Sequence, residues 1–220
     1  LQKAKDYRSE LEQLCAQLGT EPVFVTGNHD PEVSGTHYLD LCIGKVFLTH
    51  GDILYEDVSP WSKLIAEMRE VLGLIRSEYP PDYRDDLDLS LEVAKRIAIE
   101  TRARPAIRGG RLRKLRTLLA EAWPPHRPAK IIKTWLCSHH LGHALRNRFR
   151  PGADFIIYGH THRALIHEHD NKHVINTGAF MPLSRAMVVE INGGEISAHD
   201  VGRKSGHFCT GRRRGTWRVT

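Results

Sequence analysis

Three short apolar runs in this chain each stop abruptly on a cluster of Gly, His, Asn and Asp. Residues 22–26 run into Gly27-Asn28-His29-Asp30, residues 45–49 into His50-Gly51-Asp52, and residues 154–158 into Gly159-His160-Thr161-His162-Arg163. Apolar runs of this length between polar punctuation read as buried strands. Strands that all end in chemistry-bearing residues constrain a fold strongly, because an open α/β sheet binds its ligand outside the ends of its strands. The three segments therefore point to one site at the edge of one sheet.

The rest of the chain supplies helices and hairpins around that sheet. Residues 1–18 carry Ala4, Tyr7, Leu11, Leu14 and Leu18 at three- and four-residue steps, a helix that stops at Gly19. Residues 37–43 and 45–49 read as two strands joined at Gly44. Between residues 53 and 128 the character changes to helix: Ser59-Pro60 opens one, Pro80-Pro81 ends it, and stretches 88–101 and 111–123 follow, closed by Pro124-Pro125 and Pro128. This segment reads as a helical insertion, and residues 130–150 as a further helix. The last part is a β-meander, with turns at Asp170-Asn171 and at Asn192-Gly193-Gly194. The organisation expected is a core over residues 1–202, interrupted by the insertion or lid at 53–128, and a basic tail at 203–220 without fixed structure.

Charge narrows the partners. The net charge is +6, but it sits in two acid-free segments: Arg102 to Arg116 holds seven basic residues and Arg203 onward holds six. The remainder is mildly acidic. Such segments favour phosphate-rich partners, namely nucleic acid, anionic lipid or a polyphosphate substrate, although a solvated helix face and a loose tail would look the same. Cys15, Cys42, Cys137 and Cys209 form no CxxC. The first three are expected as small buried hydrophobes and a reducing, cytoplasmic setting follows, with an anionic membrane surface as a candidate contact. No apolar run is long enough to span a bilayer, and the first residues are charged, unlike a signal peptide.

The chemistry of the strand ends is that of a metal site. His160 and His162, two apart in a tight turn, can both face one cluster while Thr161 points elsewhere, and Gly159 permits the turn. His50 occupies the same position after its own strand. Asn28 offers a neutral amide oxygen. Imidazole with amide or carboxylate oxygen suits manganese, iron, zinc or cobalt. His29 points away from its neighbour Asn28 and is placed to act on substrate as a proton donor, with Asp30 to orient it. Arg163 is a candidate for a substrate phosphate. His139 and His143 share a helix face but lack a third ligand nearby in sequence, so a solvated or capping role is expected; His167, His169 and His173 flank a turn and read as surface groups.

The series G-N-H-D, H-G-D and G-H-T-H resembles the third, fourth and fifth motifs of the calcineurin-like metallophosphoesterases. The resemblance covers roughly residues 20–52 and 129–202. It implies an α/β fold, a β-sandwich flanked by helices, that hydrolyses phosphomonoesters, phosphodiesters or diphosphates with two divalent ions, manganese first among them. It implies Asn28, His50 and His160 as ligands of one ion, His162 as a ligand of the other, and His29 as the group that assists the leaving oxygen. The family also opens with D-x-H and G-D-x-x-D. Neither occurs here: no His has an Asp two residues before it, and Gly51-Asp52 is followed by Tyr55 where a second Asp belongs. The expectation is that both motifs lie ahead of Leu1, and that the chain alone binds metal poorly and hydrolyses little.

Within the family the order H-G-D, helical insertion, G-H-T-H-R and a strand ending His167-Glu168 resembles the UDP-2,3-diacylglucosamine pyrophosphatase branch. That implies a phosphorylated small molecule or lipid-linked substrate, with the insertion as a lid over acyl chains. His29 stands where that branch carries Arg, and the insertion is longer. Two other readings stay open: a nuclease of the same superfamily that uses the basic segments, and a non-catalytic module that binds phosphate or a partner.

Overall fold

The computed structural model describes residues 2–56, 69–101, 126–181 and 184–219. The expected helix at 111–123 and the arginines at 102–116 lie outside the described residues. Among those described are helices α1 (Gln2–Gln17), α2 (Arg69–Ser77), α3 (Leu87–Thr101) and α4 (His126–Phe149). The strands are β1 (Tyr38–Leu41), β2 (Val46–Thr49), β3 (Phe155–Tyr158), β4 (Leu165–His169), β5 (Lys172–Asn176), β6 (Met187–Asn192), β7 (Glu195–Lys204) and β8 (His207–Arg218). The protein is mixed α/β.

Two sheets form, one of five strands in the order β1-β2-β3-β5-β4 and one of three in the order β6-β7-β8. In the larger sheet β2, β3 and β5 run parallel, flanked by antiparallel β1 and β4. β3 is buried at every residue, as a central parallel strand must be when both faces are covered. Alternation along the strands separates the two faces. Val46, Phe155, Ile157 and Ile175 pack with Met187 and Ile196 of the smaller sheet. Phe47, Ile156, Tyr158 and Val174 pack with Leu87 and Leu91 of α3 and Leu145 of α4. The layers are therefore sheet, sheet and helices. Leu72 and Ile75 of α2 make a satellite cluster with Val93, Ala94 and Ile97 of α3.

The turns follow their residues. Asp170-Asn171, Gly193-Gly194 and Ser205-Gly206 all hold positive φ, the type I′ geometry that matches strand twist. Pro128 lies in the first turn of α4 rather than closing the preceding segment, because a proline there forfeits no helical hydrogen bond.

Several expectations are corrected. Residues 22–26 run without a strand partner among the described residues; Thr26 N–H reaches only Thr36 O, at 2.7 Å. Residues 203–220, expected as a loose tail, include β8, which pairs with β7 from Lys204↔His207 to Glu195↔Arg218. The pairing is set by the Ser205-Gly206 turn and by Trp217, which packs edge-on to Phe155 at 5.9 Å. Its arginines hid the strand because its side chains are almost all exposed and so carry no apolar alternation. Cys15, Cys42 and Cys137 are half-buried rather than buried. The apolar stripe of α1 is exposed, with Leu11 and Leu14 at 45% and 51%. No described helix is long and apolar enough to cross a membrane.

Helix α4 approaches the sheet through a glycine. A Cβ on Gly142 would lie 2.9 Å from Val174 Cγ1 and 3.0 Å from Tyr158 Cε1. Both neighbours are buried and Val174 is stiff at χ1, so neither can yield. Ala gains about 1 kcal/mol of helix propensity, but overpacking costs about 1–3 kcal/mol. Gly142→Ala is therefore expected to destabilise the fold by about 1 kcal/mol, read as a lowered urea midpoint with unchanged slope.

Candidate metal centre

Parallel pairing puts the ends of β2 and β3 side by side, Leu48 opposite Ile157. The chain then locks the two following segments together: the carbonyl of His50 accepts the N–H of Gly159 at 3.2 Å and of His160 at 3.1 Å. His160 is consequently buried, at 2% exposure, with its ring 5.2 Å from that of His50. The loop after residue 26 closes on itself through Asp30 N–H to Gly27 O, at 3.1 Å. Gly27 lies flat against His50: a Cβ there would be 2.4 Å from the ring. That close approach delivers Asn28 to the two histidines.

Three donor atoms converge. Asn28 Oδ1 lies 2.9 Å from His50 Nε2 and 3.2 Å from His160 Nδ1, and the two nitrogens are 3.3 Å apart. With ligand bonds of about 2.0–2.2 Å, neighbouring donors around one ion stand about 2.8–3.6 Å apart, from octahedral to tetrahedral angles. The triangle therefore fits a divalent ion held by two imidazoles and an amide oxygen. Among the described residues no group of three His, Cys, Asp or Glu side chains is arranged for a metal; the third corner here is an amide.

His29 and His162 form a second pair, their rings stacked at 5.3 Å and 28°. His162 takes φ 58, an uncommon left-handed conformation for a residue with a Cβ. Its N–H donates to Gly159 O at 3.0 Å, and its carbonyl accepts from Ser184 Oγ. His160 and His162 are thus divided between the two groups, and Thr161 between them turns to Asn176, whose Nδ2 donates to its hydroxyl at 2.6 Å. Asp30, expected to orient His29, uses its backbone in the turn, and among the described residues no hydrogen bond joins its carboxylate to that ring. Arg163 is exposed, with its guanidinium 5.9 Å from the Trp135 ring.

Several contributors escaped the sequence reading. Asn176 is fully buried and also accepts from Gly178 N–H at 2.9 Å, so it braces the whole loop. It ends β5 and precedes Thr177-Gly178, a strand end like the other three, and the same rule could have found it. Trp135 Nε1 donates to Thr161 O at 3.0 Å, tying α4 to the loop. Tyr55 faces His160 with rings 6.1 Å apart. Asp52 is buried with Oδ1 unpartnered, and burial raises its carboxyl to about 7. A helical stripe or a lone Tyr offers no pattern that would mark such a role.

Burial, and then the nearby rings of His29 and His162, push His50 down to about 4. Burial, and then His29, lower His162 as well. His50 and His162 are thereby held toward the neutral form, as a ligand imidazole must be.

No family model, curated protein or solved structure matches the chain.

Two outcomes follow from this packing. Gly27→Ala is expected to drive the His50 ring out of place, shifting the ring resonances of His50 and His160 and costing about 1–3 kcal/mol; unchanged resonances would refute the close approach. For pH, a lowered His50 means that the unfolded chain binds the extra proton first. Its contribution is full above 6.5 and is lost as pH falls to about 4. Asp52 acts oppositely, its contribution being lost as pH rises from 3.8 to about 7. Urea denaturation across pH 4–7 is expected to lose slope in His50→Gln and to gain it in Asp52→Asn.

Proposed function

We propose that this chain carries part of the active site of a metal-dependent phosphoesterase of the calcineurin-like type, with the sheets as its β-sandwich. The observation that carries this reading is the Asn28, His50 and His160 triangle, with donor atoms 2.9 to 3.3 Å apart at the ends of neighbouring segments. These three residues would hold one divalent ion, manganese first among candidates, and His162 would contribute to a second. When bound, such ions polarise a phosphoryl oxygen and supply an activated water.

The remaining residues act around that chemistry. His29 is exposed beside His162 and can give a proton to a leaving oxygen. Arg163, propped on Trp135, supplies positive charge at the rim. Tyr55 links the centre to a cavity of about 240 Å³ whose lining includes Val93, Ile97, Leu141 and Leu145. Arg84 and Arg148 at that cavity are engaged by Glu56 and Asp85. The cavity therefore suits an apolar group better than a phosphate, which favours an amphiphilic, lipid-linked phosphate substrate of the UDP-sugar-lipid kind.

One observation favours a non-catalytic reading: the described residues offer a second ion only His162. The nuclease reading draws on the exposed arginines of β8 and requires activity on DNA that falls steeply with salt.

Hydrolysis of bis(p-nitrophenyl) phosphate with and without Mn²⁺ tests the proposal. Slow Mn²⁺-dependent turnover is expected, abolished by chelator and at least about tenfold lower in His160→Ala, about 1.4 kcal/mol of barrier. Turnover indifferent to chelator or to His160→Ala would sink it. Mn²⁺ binding lost in His160→Ala, without any turnover in the parent chain, would replace it with the binding module.

A further inference from the structure

A second histidine cluster lies beyond the centre. On α4, Trp135, His139 and His143 follow at four-residue steps and share one face. Trp135 meets the loop at Thr161, and the two histidines continue along the helix against β4, where His167 and His169 also share a face. His143 Nε2 lies 3.1 Å from His167 Nδ1. The His139 ring stands 4.1 Å from that of His167 and 4.0 Å from that of His140, and the His169 ring stands 6.0 Å from that of His143.

So many imidazoles cannot all carry charge in contact. Among the described residues the one carboxylate paired with them is Asp170, 3.4 Å from His169. Glu168 lies toward His173 at 3.7 Å, and Arg146 adds positive charge beside His143. Burial, then His167 and Arg146, lower His143 to about 4; burial, then His167 and His140, lower His139. His139 and His143 are thus neutral nitrogen donors, half-buried beside His167. Two histidines four apart on a helix present ligands to one side, and neutral imidazole is a ligand for zinc, nickel and copper.

We propose that His139, His143 and His167 bind one divalent transition-metal ion, zinc by preference, which clips α4 to β4 outside the Asn28, His50 and His160 centre. Two donors already stand at the spacing of neighbouring ligands. His139 is stacked rather than converged, in keeping with the lack of a finished three-residue group, and a side-chain rotation completes the set. The ion takes the place of the proton shared by His143 and His167. The ring that held that proton keeps it on its other nitrogen, so both facing lone pairs become ligands. His140 and His169 lie within reach as further donors. This site does not depend on the phosphoesterase reading.

The test is a calorimetric titration of Zn²⁺ into the whole chain carrying His160→Ala, which removes the first centre. One equivalent is expected to bind and to raise the melting temperature. Adding His143→Gln or, separately, His167→Gln is expected to weaken that equivalent at least tenfold and to abolish the melting shift, with the far-ultraviolet spectrum unchanged. Two results would overturn the proposal: Zn²⁺ binding indifferent to both substitutions, or a melting temperature that responds to pH between 5 and 7 but not to Zn²⁺. The second would make the cluster a proton sensor.

Discussion

One carbonyl oxygen organises the centre. His50 O accepts the N–H groups of both Gly159 and His160, and this pair of hydrogen bonds fixes the G-H-T-H loop to the end of β2. It can form only because β2 and β3 are parallel and in register, which brings their last residues level. From there the rest follows by crowding. His160 has nowhere to go but inward against His50, and Gly27, lacking a Cβ, lets the third loop lie on the His50 ring. Backbone hydrogen bonds set the spacing of His50 and His160, and the close approach of Gly27 adds Asn28 to them.

The layers behind the centre are arranged so that it cannot drift. β3 presents Phe155 and Ile157 to the small sheet and Ile156 and Tyr158 to the helices, all of them buried. Tyr158 adds a hydrogen bond from its hydroxyl to Ser138 O at 2.9 Å, and Trp135 one turn away bonds the loop. Helix α4 is therefore held both to the strand and to the loop that extends it. Asn176 performs the same service from β5, bridging Thr161 and Gly178.

The sheet and the centre differ in how far the sequence revealed them. β2 and β3 were legible because burial on both faces leaves an unbroken apolar run, and their ends were legible because Gly beside His has little other use there; β5, which opens Lys172-His173, showed only as one arm of a hairpin, and its end at Asn176 was missed. Residues 22–26 have the same look yet form no ladder among the described residues, since apolarity specifies burial but not a partner. β8 was the opposite case: its pairing rests on backbone bonds and a two-residue turn, while its exposed arginines advertise solvent. His167 and His173 read as surface groups because the turn between β4 and β5 is polar. The first nevertheless faces α4, and the second stacks on Phe155 at 4.5 Å, contacts between elements far apart in sequence that no local pattern encodes.

The pairing of β2 with β3 spans the entire stretch from Thr49 to Phe155, and this has a consequence for how the molecule comes together. Register in such a sheet is gained only after a long loop has closed, so the centre cannot exist in any partly assembled chain that lacks it. Yet closure entropy grows only with the logarithm of loop length, about 0.6 kcal/mol for each doubling. Loops in the stretch between these strands can therefore lengthen or shorten at small entropic cost, provided that α3 and α4 keep their packing on the sheet. Length is free to vary between the packed elements, while position is enforced at the strand ends.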